Sequence, residues 1–178
     1  KQGQKITLRF GEMLDANGEL TLKNIQCTNK KLTTPLQKIE YTCKDGLNEY
    51  KTSFAIFGFQ YMEIDTEIEV SDDCFTAIAV YSDMEETGFF ESSNELLNKF
   101  VTATKWSTKS NSTDLPTDCP TRERHGWTGD AQIFFNTAAY LFDYATFSEK
   151  YIRDVFDWQQ KDGKLPQIAP YGGVDFFM

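Results

Sequence analysis

Residues 117–132 read Thr-Asp-Cys-Pro-Thr-Arg-Glu-Arg-His-Gly-Trp-Thr-Gly-Asp-Ala-Gln, a run whose residue types suit acid–base chemistry on a polar substrate. Three carboxylates (Asp118, Glu123, Asp130), two arginines (Arg122, Arg124) and Trp127 sit in a loop punctuated by Pro and Gly that opens onto apolar sequence. Carboxylates grouped around one aromatic platform are the equipment of sugar chemistry, where one acid protonates a leaving oxygen and others grip hydroxyls. Each residue also has a plainer explanation. Arg122-Glu123-Arg124 could be a surface ion cluster of little energetic weight. Asp130 could serve the start of a helix through its free N–H groups and dipole. Asp118, ahead of Cys119-Pro120, could organise an Asx-turn, and Trp127 could fill core beside Gly126. His125 has no second histidine with which to share a metal and reads as an exposed loop residue. Cys119 lacks an obvious base, which argues against a nucleophile.

The elements that must hold this loop follow from periodicity. Ile6, Leu8 and Phe10 alternate with polar neighbours, predicting a half-buried strand. Asn17-Gly18 signals a turn, after which Leu20 and Leu22 resume the alternation. Met62 to Val70 predicts a second long strand, and Phe75, Ala77, Ala79 and Tyr81 a third, joined through Ser71-Asp72-Asp73. Gly58, between Phe57 and Phe59, suggests a bulge or a close backbone approach. These short strands predict an antiparallel β-sandwich segment over residues 1–88. The period then changes to that of helices. Ser92-x-x-Glu95 is a capping-box pattern for a first helix carrying Leu96, Phe100 and Ala103. A second helix is expected from about Gly129 to Asp143, apolar around most of its circumference and so buried on most sides. Thr146-x-x-Glu149 would cap a third, carrying Tyr151, Ile152, Val155, Phe156 and Trp158, the last favoured as core, and closed by Lys161-Asp162-Gly163. Residues 165–178, with Pro166, Pro170, Gly172 and Gly173, read as loop, and Tyr171, Trp106 and Trp158 could line a pocket. Sheet first and helices afterwards, without alternation, gives an α+β class. Three helices this apolar have more surface than they can bury among themselves, so a partner or further chain is expected to cover them.

At 178 residues the chain can hold one domain or two small ones with a real core. A net charge of −9 argues against a nucleic-acid partner, which usually leaves a basic footprint. Cys27, Cys43, Cys74 and Cys119 stand at wide, irregular spacings, and there is one histidine, so no zinc site is expected and no cofactor. A Cys27–Cys43 disulfide is conceivable, but buried free thiols are the favoured reading. No apolar run reaches the roughly 18 residues of a membrane span. The opening Lys1-Gln2-Gly3-Gln4-Lys5 is neither an initiator Met nor a signal peptide, which suggests a piece of a longer protein. A periplasmic or secreted setting is favoured, with the cytoplasm left open.

Four ordered motifs resemble those of bacterial alpha-L-rhamnosidases, glycoside hydrolase family 78. Residues 118–132 are similar to that family's signature. Phe57-Gly58-Phe59-Gln60-Tyr61 resembles its GFRY strand. Thr87-Gly88-Phe89-Phe90-Glu91-Ser92-Ser93-Asn94 resembles its TGxFxCSN entry to the catalytic domain, and Asp162-Gly163-Lys164-Leu165-Pro166-Gln167-Ile168-Ala169-Pro170 its DGxIPxVAP loop. The resemblance implies a β-sandwich over residues 1–88 followed, over 89–178, by the first helices of an incomplete α/α barrel of six hairpins. It implies inverting hydrolysis of terminal alpha-L-rhamnose from a glycoside or polysaccharide. It assigns Glu123 as general acid, with Asp118, Arg122, Trp127 and Asp130 holding the sugar. Some members carry Arg-Asp-Glu-Arg where this chain has Arg122-Glu123-Arg124 directly, yet the register from Glu123 to Trp127 is kept. The family's general base is a glutamate much further along the barrel. The stretch is therefore expected to hold the acid without the base, and the remainder of the parent chain to complete the barrel.

An inverting acid needs a raised pKa and a second carboxylate about 6.5–9.5 Å away to activate water. Asp118 and Asp130 would raise the pKa of Glu123, and Arg122 and Arg124 would lower it if both pointed inward. At least one arginine must then turn aside. Two other functions stay in view. A carbohydrate-binding module would display aromatics on a sheet face and bind sugar without Glu123; a different α/α-barrel glycosidase would share the scaffold but not the sugar.

Overall fold

The computed structural model describes residues 1–25 and 37–171, and the chain divides into two compact units, Lys1–Ile78 and Ala79–Met178. Cys27 and the tail from Gly172 lie outside the described residues.

In the first unit β1 (Lys5–Gly11) is the middle strand of a three-stranded antiparallel sheet, flanked by β4 (Lys38–Thr42) and β5 (Tyr61–Thr66). The register sets Leu8 opposite Ile39 on one side and Ile64 on the other, and Arg9 opposite Glu63, with which it forms an ion pair. β2 (Met13–Leu14) and β3 (Leu20–Thr21) make a small hairpin, turned where Gly18 takes a positive φ of 82°. Phe10 is buried with its ring stacked on Phe57 at 4.5 Å and against Phe59 at 5.0 Å. The amide of buried Gln37 holds both polar groups of Gly58, accepting from its N–H (3.2 Å) and donating to its carbonyl (3.0 Å).

Three expectations here need correcting. β5 stops at Thr66, four residues before Val70. Ser71-Asp72-Asp73 leads into a short 3-10 turn, Asp72–Cys74, and 75–81 forms no ladder, with Ile78 and Val80 exposed. Alternation shows that a segment is fit for a sheet; a strand also needs a partner, which the described residues do not supply to 75–81. β4 went unforeseen. Cys43 is a buried free thiol as expected, but Cys74 is free and exposed.

Among the described residues the second unit holds three helices: α1 (Glu95–Ser110), α2 (Thr128–Leu141) and α3 (Ala145–Asp157). A minute hairpin, β6 (Ser112–Thr113) and β7 (Leu115–Pro116), turns at Asp114. The capping boxes are not used. α1 is capped by Asn94, whose Oδ1 accepts from Leu96 N–H at 3.0 Å. α3 begins after Tyr144, whose side chain makes no cap, while Asp143 Oδ1 accepts from the Ala145 N–H at 3.3 Å and Thr146 lies inside the helix. α3 ends at Asp157, ahead of the Lys161–Gly163 turn. Glu86 lies between Lys105 (3.0 Å) and Lys109 (2.6 Å) and ties the approach segment to α1.

Two apolar clusters form the core: Met84, Ala138, Phe142, Tyr144 and Phe147, then Ala131, Tyr151 and Ala169, with Phe135 packed against both. α2 is less enclosed than its composition predicts. Ala131 and Ala138 are buried, but Ile133 is 77% and Tyr140 81% exposed. Leu96 and Phe100 of α1 are exposed as well, and Trp158 is half-exposed against Tyr171 (5.0 Å) instead of core. Among the described residues no helix is long and apolar enough to cross a membrane.

The Tyr144 hydroxyl meets Ser112 Oγ at 2.8 Å with both residues buried. Tyr144→Phe should therefore leave the serine hydroxyl unpaired and destabilise the fold by about 1–3 kcal/mol, read as a lower Tm.

Candidate active site

The loop carrying the candidate residues is closed on itself at Asp118 and His125. The Asp118 N–H donates to His125 O (3.0 Å), and the His125 N–H donates back to the Asp118 carboxylate (2.9 Å). One carboxylate oxygen of Asp118 thus has a structural task whatever its other oxygen does, and His125 is partly buried, not exposed. Inside the loop the Glu123 N–H donates to Cys119 Sγ (3.1 Å), and Arg124 takes a positive φ of 56° with its Nε–H donating to Thr121 O (3.2 Å). A bulky residue in the left-handed region is held there by its surroundings, a strain typical of functional loops.

Glu123 is gripped at both oxygens. Arg122 donates to Oε1 at 2.6 Å, and the Trp127 indole N–H donates to Oε2 at 3.2 Å. Partial burial pushes the carboxyl pKa up. The Arg122 hydrogen bond, then the Trp127 hydrogen bond and the charges of Arg122 and His125, outweigh it and hold the group below its ordinary value. One arginine has turned to a carbonyl as the acid hypothesis asked; the other has paired with the acid itself. In this arrangement Glu123 is held ionised.

Trp127 is the residue before α2, and α2 begins without a side-chain cap. Its first N–H, on Thr128, is satisfied from elsewhere, donating to Gln167 O at 2.9 Å. Residues 166–170 back the loop along its length. Trp127 bridges Ile168, the Ala169 N–H donates to Gly126 O (2.9 Å), and the Thr128 hydroxyl donates to the Pro166 and Gln167 carbonyls (3.2 and 3.1 Å). Gly126 sits so close to Ala169 that a Cβ would overlap its carbonyl oxygen, whereas the space around Gly129 is open. Only the first of the two glycines is required by the backbone path.

Asp130 lies in the first turn of α2 and is exposed. The hydrogen bonds that join Arg122, Glu123 and Trp127 do not reach it. The structure therefore gathers Arg122, Glu123 and Trp127 into one group, uses Asp118 at the base of the loop, and leaves Asp130 at its rim. Sequence reasoning missed Cys119 as acceptor for the Glu123 N–H, and it missed Tyr151, whose hydroxyl donates to Gly126 O at 2.7 Å.

Comparison with known proteins bears on the family and the fold. Residues 1–81 match the bacterial alpha-L-rhamnosidase concanavalin-like domain, and residues 85–177 the bacterial alpha-L-rhamnosidase 6 hairpin glycosidase domain. An alpha-L-rhamnosidase of Formosa agariphila is 33% identical over 96% of this chain, which spans 18% of that relative. Among solved structures, alpha-L-rhamnosidase from Dictyoglumus thermophilum superposes with a TM-score of 0.86 at 32% identity, over 96% of this chain and 19% of that one. The Streptomyces avermitilis alpha-L-rhamnosidase complexed with L-rhamnose gives 0.86 at 31% identity, over 96% and 16%. The chain thus spans less than a fifth of the length of these relatives. The fold is an antiparallel sandwich segment followed by helices of a six-hairpin barrel, and the chain belongs to the bacterial alpha-L-rhamnosidase family.

Proposed function

We propose that this stretch is the junction of sandwich (residues 1–88) and catalytic barrel (89–178) in an inverting glycoside hydrolase that removes terminal alpha-L-rhamnose from a glycoside or polysaccharide. Glu123 is the general acid. Trp127 walls the sugar site, and Asp118, Arg122 and Asp130 hold hydroxyls. The carrying observation is the Glu123 carboxyl, fixed between the Trp127 indole and Arg122 on a self-closed, backed loop. The structure of a relative complexed with L-rhamnose supports the choice of sugar. In the resting arrangement the acid is deprotonated. Rhamnose hydroxyls entering the site draw Arg122 off the carboxyl, burial then dominates, and Glu123 takes up the proton it delivers to the leaving oxygen. The base that activates water lies outside this stretch.

Two measurements test this. The polypeptide of residues 1–178 alone should show no sustained rhamnoside hydrolysis, and the longer enzyme should release the β-anomer of L-rhamnose first, read by proton NMR within the first turnovers. Initial release of the α-anomer would rule out inversion; a substrate panel in which another sugar is preferred would rule out rhamnose.

A further inference from the structure

Tyr151 has no place in the site described above, yet its hydroxyl is spent on it. The residue lies on α3, only 2% exposed, packed with Ala131 and Ala169 and held edge-to-face by Phe135 at 5.8 Å. Apolar packing of this kind would be served as well by phenylalanine. A buried hydroxyl needs a partner, and here the partner is the carbonyl of Gly126 at 2.7 Å. Burial first, then the charges of Asp154 and Asp130, push the phenol pKa up, so the group remains a donor. Gly126 O also accepts from the Ala169 N–H at 2.9 Å, so two donors fix one peptide plane. The next residue is Trp127, whose indole N–H holds Glu123 Oε2.

We propose that Tyr151 is a positioning residue: by pinning the Gly126 carbonyl it aims Trp127, and through Trp127 the carboxyl of Glu123, a role that rests on the reading of Glu123 as the acid. Removing the hydroxyl leaves the carbonyl with its Ala169 donor, so no buried acceptor is orphaned and the fold should hold. What is lost is one of the two constraints on the peptide plane. The damage falls on proton delivery and spares the packing.

The test is Tyr151→Phe in the longer glycosidase, assayed on two substrates that differ in their need for an acid. Methyl alpha-L-rhamnoside has a poor leaving group, and 2,4-dinitrophenyl alpha-L-rhamnoside leaves with little protonation. The kcat on the methyl glycoside should fall by about 10–100-fold, as displacement of a catalytic group does. That on the dinitrophenyl glycoside should change by less than about threefold. Val155→Ala removes packing from the same cluster without touching Gly126; it should lower Tm and affect both substrates alike. An equal loss on both substrates with Tyr151→Phe, no loss on either, or failure to fold would assign the hydroxyl to structure alone and overturn the proposal. Glu123→Gln is assayed alongside. If it does not discriminate between the leaving groups, the acid assignment fails and the Tyr151 role goes with it. If it discriminates and Tyr151→Phe does not, only the positioning role is lost.

Discussion

Glu123→Gln in the longer glycosidase should lower kcat on an alkyl rhamnoside by about 10²–10⁴-fold, the usual contribution of a general acid. Glutamine keeps the size of the side chain and can still accept from the Trp127 indole N–H, which lies 3.2 Å from Oε2 in the parent. It cannot deliver a proton. The deficit should shrink on an activated aryl rhamnoside, and an equal, small effect on both substrates would remove Glu123 from the acid role. The pH profile carries a second expectation with a definite sign. A general acid works when protonated, so activity falls as pH rises through its pKa. In the free chain that pKa is depressed, because Arg122, Trp127 and His125 outweigh the burial that raises it. The basic limb of kcat/KM, which reports the free enzyme, should therefore lie at lower pH than the basic limb of kcat, which reports the complex after Arg122 has moved to the sugar. Coincident limbs would show that substrate does not release the carboxyl. The Arg122–Glu123 pair also stabilises the fold at pH values above the ordinary carboxylate range, a contribution lost as pH falls through the depressed value. It should be small, since Arg122 is half-exposed and screened by solvent.

How much of this was legible in the sequence depends on how local each feature is. The bounds of α2 came within two residues of expectation, because Trp127, Thr128 and the apolar run beyond are local signals. The capping boxes failed at Ser92 and Thr146, because a four-residue pattern matches by chance and the chain chose Asn94 and Tyr144. β4 was missed although Lys38–Thr42 alternates residue by residue, because it is only a five-residue edge strand with no turn signal of its own, paired only through the 5–11 strand. The apolar circumference of α2 is only partly used by the described residues, which leave Ile133 and Tyr140 exposed. In the site, residue identities could be read as a motif. The direction of the Glu123 pKa could not, since it turns on where two arginine side chains point. Tyr151 lay beyond reach because its bond to Gly126 joins residues 25 apart in the chain, across two helices.

Gly126→Ala should be a strongly damaging single methyl beside the candidate site. A Cβ there would run into the Ala169 carbonyl oxygen and press on Leu115 (3.0 Å) and the Tyr151 ring (3.1 Å). The Ala169 clash is with backbone, which cannot rotate out of the way, so residues 166–170 must separate from the loop. Overpacking of this kind costs about 1–3 kcal/mol or more, read as a lower Tm. Separation would also break the Ala169 N–H bond to Gly126 O and the Trp127–Ile168 bridge. Trp127 would then lose the support that aims it at Glu123, and displacement of about an ångström at a catalytic group lowers kcat by about 10²-fold. Gly129→Ala is the matched control, three residues on in the first turn of α2 with open space around it. It should raise Tm slightly, since alanine in a helix is favoured over glycine by about 1 kcal/mol, and leave kcat unchanged. If the two variants behave alike, the loop is not held against residues 166–170 in solution, and the chain of contacts from Tyr151 and Ala169 to the Glu123 carboxyl does not exist.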